Sequence, residues 1–194
     1  MRQLPEKVEK KLLVVRSDIL EKLYEIARKE NKTLFALTNE ILQDAIKVNE
    51  INKTIGELLN FHNLIKLQKD SGAMIVPSEI LLKALKNWNN KEEMIKAWEL
   101  AGEWYGKYLI AKLENPLEVL PSLFSTSFWH LSEIKMNMRN DDKVFISLIA
   151  PNTEQILIEI TVGYVNGIMS ALGFQNTKCD IIRGVAILEF SKKI

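Results

Sequence analysis

The sequence predicts an α+β protein in two parts: a small strand-helix-helix (β-α-α) module over residues 1–50, and an α/β domain of helices and two β-hairpins over 51–194. Three observations predict it. A four-residue apolar run is followed, within the first 50 residues, by two apolar stripes of helical period. Helical stripes then continue to about residue 113. Beyond them, two pairs of strand-like runs, each split by a turn signal, bracket one more apolar helix.

The opening run is Leu12-Leu13-Val14-Val15, set between Lys10-Lys11 and Arg16 and stopped by Ser17-Asp18. It reads as a strand. Ser17 or Asp18 is expected to cap the next helix, with Glu21 completing a capping-box-like pattern. That helix carries the stripe Ile19, Leu20, Leu23, Ile26 and Ala27, and ends near Asn31, a residue that tolerates the left-handed conformation of a C-cap. Thr33 caps a second helix with the stripe Leu34, Leu37, Ile41, Leu42, Ala45 and Ile46. One strand and two amphipathic helices bury too little surface to stand alone, and a lone strand leaves both edges unpaired. Two copies that pair their strands and interlock their helices remove both problems, so an obligate homodimer is expected.

A third stripe, Ile55, Leu58, Leu59, Leu64, Ile65 and Leu67, runs to a break at Asp70-Ser71-Gly72. Pro77 suits the first turn of a helix reaching Trp88. Asn90 caps a long helix over about 91–113, with Glu93 at the capping-box position. Past Pro116, the runs Ser132–Arg139 and Lys143–Ile149 flank the turn Asn140-Asp141-Asp142. A helix over about 157–172 ends at Gly173, and Arg183-Gly184 joins Thr177–Ile182 to Val185–Phe190.

Composition narrows the function classes. With 47% hydrophobic and 26% charged residues the chain can bury a real core, and five prolines and eight glycines without low-complexity runs argue against disorder. A single cysteine, Cys179, excludes an intramolecular disulfide and a Cys-rich zinc site; a reducing, cytoplasmic location is expected. The start Met1-Arg2-Gln3-Leu4-Pro5-Glu6-Lys7 has no apolar signal region, and no run approaches the ~18 apolar residues of a membrane span. The net charge of +1 is uninformative, but residues 1–16 hold five cations (Arg2, Lys7, Lys10, Lys11, Arg16) against Glu6 and Glu9. That local surplus of +3, doubled in a dimer, suits a phosphate backbone.

The run from Lys10 through Thr33, with its strand, Leu20-Glu21-x-Leu23 helix, Asn31 turn and Thr33 cap, resembles ribbon-helix-helix repressors of the CopG type, over about residues 8–48. The resemblance implies paired strands in the DNA major groove, with Lys10, Leu12 and Val14 facing the bases and Leu13 and Val15 in the core. It also implies a phosphate anchor at Lys32 and Thr33. Leu12 and Val14 depart from the family's polar groove-facing residues; they can touch thymine methyls but make no bidentate base contacts. A ribbon kept only for dimerisation is therefore the alternative.

Two later segments resemble the vinyl reductase (V-four-R) family, over about residues 55–192. One is Ala97–Leu109, with Gly102 and Gly106 four apart. The other is Val162–Gly173, with Gly163 and Gly167 four apart, leading into Cys179-x-x-x-x-Gly184 and a closing strand. The resemblance implies a domain for a small, apolar ligand, with Trp98, Gly102, Tyr105, Gly106, Gly163 and Gly167 as candidate contacts. Glycines four apart also clear a helix face for close packing, so both readings stand. Trp88, Trp98, Trp104, Trp129, Phe124 and Phe128 offer either a pocket lining or plain core. Ala186 stands where family members often carry a second Cys, so Cys179 is expected to be a buried apolar residue and neither metal nor cofactor is expected.

No nucleophile triad, phosphate-binding glycine loop, H-E-x-x-H or dinucleotide fingerprint is present, and the carboxylates show no pair-forming spacing. The leading expectation is a DNA-binding transcriptional regulator with a ligand-sensing second domain, not an enzyme. The alternative is a dimeric ligand carrier or adaptor.

Overall fold

In the computed structural model, residues 11–139 and 142–193 are described. Seven helices and four strands follow one another among these residues: α1 (Ser17–Lys29), α2 (Leu34–Glu50), α3 (Ile55–Asp70), α4 (Ser78–Lys86), α5 (Lys91–Lys112), α6 (Pro116–Ser127), β1 (Glu133–Arg139), β2 (Lys143–Ile149), α7 (Gln155–Ala171), β3 (Phe174–Ile182) and β4 (Val185–Lys192). The protein is α+β, and its chain divides into two compact units between Leu59 and Asn60, inside α3.

In the first unit, α1 and α2 are joined by a tight turn at Asn31, whose φ is +53°. The Asn31 amide donates to the Arg28 carbonyl (3.3 Å) and the Lys32 amide to the Ala27 carbonyl (2.9 Å), which satisfies two of the helix's orphan carbonyls. The Thr33 hydroxyl then accepts from the Ala36 amide at 3.1 Å and starts α2. The expected cap on α1 is absent. The N-cap is Arg16, whose guanidinium has no acceptor to offer the helix amides; Asp18, inside the first turn, accepts from it instead (Nε to Oδ1, 3.0 Å). The strand expected over residues 12–15 is not formed: residues 11–16 take no regular secondary structure and pair with no strand among the described residues.

The second unit is built around α7. Ten of its 17 residues are buried, more than one helix face can hold, because the sheet covers one side and α5 the other. The two hairpins merge into one antiparallel sheet of order β1-β2-β4-β3. Val144, Ile146 and Leu148 of β2 stand opposite Phe190, Leu188 and Ala186 of β4, and all six are buried. The alternation of the sequence therefore becomes one inward face. Arg183 and Gly184 both take positive φ (+36° and +86°), as a two-residue hairpin turn requires. Helix α6 supplies Leu120, Leu123 and Phe124 to the same core, and Leu64 of α3 joins it.

Among the described residues, no helix is long and apolar enough to cross a membrane.

Candidate functional site

Two places gather the residues singled out by the sequence. The first is the start of the chain. Leu12 and Val14 are 95% and 90% exposed, and Leu13, expected in the core, is exposed too; Lys10 lies outside the described residues. Lys32 is engaged already, with Nζ 2.8 Å from Glu30 Oε2 and 2.6 Å from Glu40 Oε2. Glu30, then Glu40, holds its ammonium well above the usual lysine range. Thr33 spends its hydroxyl on the α2 cap. Both residues thus lie at the N-terminus of α2 with partners inside the chain, the cation shared between two carboxylates.

The second place is the crossing of α5 and α7, where the four glycines meet. A Cβ on Gly102 would lie 2.0 Å from the Tyr164 carbonyl oxygen, and one on Gly167 would lie 1.9 Å from the Glu99 carbonyl oxygen. Gly106 and Gly163 face Ile168 and Ile95 at 2.9 and 3.1 Å in the same way. The room cleared by the glycines is filled by the opposing helix backbone, which is the packing alternative of the sequence reading.

Around this crossing runs an aromatic cluster. Tyr105 stacks on Tyr164 (ring centroids 6.0 Å) and on Tyr108 (6.1 Å); Trp98 and Phe128 each meet Tyr164 edge-on at 6.2 Å. The buried Tyr105 hydroxyl has no hydrogen-bond partner within the chain. Burial, with a smaller push from Tyr108, raises its ionisation to about 12, so it stays a neutral donor. Tyr164 is pushed up likewise, by burial and then by Tyr105.

The other candidate aromatics disperse. Phe124 is core, whereas Trp88, Trp104 and Trp129 are largely exposed.

His130 sits beside Phe128 with Nε2 3.0 Å from Thr161 Oγ1. The Thr161 hydroxyl donates its only proton to the Leu157 carbonyl (2.6 Å), so His130 Nε2 carries the proton in this contact. Burial lowers the His130 pKa. Beside it an open depression is lined by Trp129, Ser132, Pro151, Asn152 and Thr153. No sequence spacing links His130 to Thr161, 31 residues away; the β1-β2 hairpin brings them together.

No family model, curated protein or solved structure matches this chain. Its functional reading therefore rests on its own residues.

A further expectation is overturned. Cys179 is exposed, not buried, because β3 is an edge strand that α7 does not fully cover. Partial burial, and then the neighbouring Asp180, raises its thiol pKa and keeps it protonated. Among the described residues, no group of three or more His, Cys, Asp or Glu side chains is placed to hold a metal ion.

Proposed function

We propose that the chain is a homodimeric DNA-binding regulator, with a ribbon-helix-helix first unit and a second unit that senses a small apolar ligand. The observation that carries this reading is the unfinished core of the first unit. Among its described residues only Ala27 and Leu37 are buried, at 3% and 4% exposure, while Ile19, Ile26, Ile41, Leu42 and Ile46 remain exposed. A stable fold does not leave such a row uncovered, and a second copy has the complementary row. Paired residues 11–16 would then form the ribbon, flanked by the basic start of the chain. Trp98 and Tyr105 support ligand sensing, the latter through a buried hydroxyl that lacks an acceptor. A ligand that binds one arrangement of the second unit more tightly would shift the population of DNA-competent dimers.

A second reading has its own support. Lys32 is held by Glu30 and Glu40, and the ribbon face offers Leu12 and Val14. Both features favour a ribbon used for dimerisation alone.

A gel shift with the DNA upstream of the chain's own gene, run across a salt series, separates the two. Tight, salt-sensitive retention that is lost in the Lys10→Ala/Lys32→Ala variant is expected of the regulator. A dimeric protein that prefers no DNA over random sequence at low salt would leave the dimerisation reading.

A further inference from the structure

We propose that the tip between α3 and α4 is a docking surface for an anionic lipid bilayer. Met74 and Ile75 are each 85% exposed, more than any other large apolar residue of the second unit. Ile80 and Ala84, four residues apart on α4, are exposed as well, and so are Val76 and Trp88, which flank the two ends of the helix. That spacing puts Ile80 and Ala84 on one side of the helix. Leu81, Leu82 and Leu85, on the other side, pack into a core cluster with Met94 and Ile160. Helix α4 is thus apolar on two faces, and only one is covered.

The tip cannot fold back to hide itself, because both of its stems are fixed. At the end of α3 the Gly72 amide donates to the Lys69 carbonyl (3.0 Å) and the Ala73 amide to the Gln68 carbonyl (3.1 Å). The Gln68 side chain donates to Thr126 Oγ1 (2.9 Å) and Ser127 Oγ (2.7 Å) of α6. On the far side, Pro77 fixes the chain's entry into α4 and Leu85 is buried. A four-residue apolar run is left held out on rigid supports.

Its surroundings identify the occupant. Between residues 66 and 91, five lysines (Lys66, Lys69, Lys83, Lys86, Lys91) stand against Asp70 and Glu79. Lys86 and Lys91 are engaged by Glu154 and Glu159; among the described residues, no ion pair holds Lys66, Lys69 or Lys83. An apolar protrusion bordered by lysines and a tryptophan matches the headgroup boundary, where aliphatic side chains enter the acyl region and Trp and Lys stay at the polar layer. A second copy fits less well, since a twofold contact would bring the same lysines towards their symmetry mates.

The test is co-sedimentation of the full chain with phosphatidylcholine vesicles, with and without phosphatidylserine. Partition onto the anionic vesicles is expected to weaken in high salt. It should fall by roughly tenfold or more in Met74→Asp/Ile75→Asp, and less in Lys69→Glu/Lys83→Glu. Both variants alter exposed side chains, and an unchanged thermal melt checks that they remain folded. Equal recovery in the supernatant with and without anionic vesicles would overturn the proposal. So would self-association, abolished by the double aspartate variant, in a protein that ignores vesicles; that result would assign the tip to a second copy.

Discussion

The two units of this chain both carry apolar helix surface and differ in what covers it. In the second unit α7 is enclosed by α5 and the sheet, and Ile158, Val165, Ile168 and Met169 are fully buried within a single chain. In the first unit α1 and α2 pack on each other, and among the described residues two side chains, Ala27 and Leu37, are buried. An amphipathic stripe read from sequence states that a surface needs covering. Whether the chain itself supplies the cover depends on how many elements it can bring to the place, and two helices are too few.

The sharpest way to break the comparison is Ile46→Asp. Ile46 is 59% exposed in the single chain, so a self-sufficient first unit would tolerate the change within about 0.5 kcal/mol. If a second copy covers it, two carboxylates enter an apolar interface, and sedimentation equilibrium should show the dimer lost at micromolar concentration. The second unit should be most sensitive at Gly167→Ala. The added methyl meets the Glu99 carbonyl and the Glu103 amide at 1.9 and 2.6 Å, both of them backbone, and we expect about 3 kcal/mol of destabilisation in urea. Tyr105→Phe should act in the opposite sense, stabilising by about 1 kcal/mol, because it removes a buried hydroxyl that lacks a partner. Loss of that gain on adding a tight ligand would place the hydroxyl at a binding site.

The smallest effect is a pH dependence. Burial holds His130 below its ordinary value of 6.5, so the unfolded chain takes up its proton first. Stability from the neutral imidazole is complete above that value and is lost as pH falls from it towards the lowered folded pKa. Melting temperatures of wild type minus His130→Gln should show that loss, and a difference flat with pH would remove His130 from the account.

Much of the fold was legible because local signals and tertiary packing agree. Thr33 and Asn90 cap the helices they were expected to cap, and both hairpins lie where the apolar alternation put them. Helix α6 was not read. Pro121 lies inside it, and the Ser125, Thr126 and Ser127 hydroxyls bond back to its carbonyls, so its propensity is poor and its existence rests on burying Leu120, Leu123 and Phe124. The Thr54/Glu57 capping box was visible but went unused, although each side chain accepts from the other residue's amide. Asp18 is not the cap because α1 already starts at Ser17, which leaves Asp18 inside the first turn with its carboxylate on the Arg16 guanidinium. At the candidate site, glycine spacing signalled a close approach but not what approaches. The cluster of Trp98, Tyr105, Tyr164, Phe128 and His130 exists only once α5 and α7 cross and the segment after α6 lies beside them.

The glycine crossing also sets how the second unit can move. Between most helices, side chains that change rotamer give a continuous range of small slides. At this crossing backbone faces backbone, and a displacement of a fraction of a turn would drive Gly167 and Gly102 off the carbonyls they accommodate and bring bulkier neighbours onto them. The next arrangement that sets small residues opposite backbone lies a full turn away, about 5.4 Å along the axis. Helices α5 and α7 therefore travel as one girder, and any signal that crosses this domain must be carried by the elements hung on its outside.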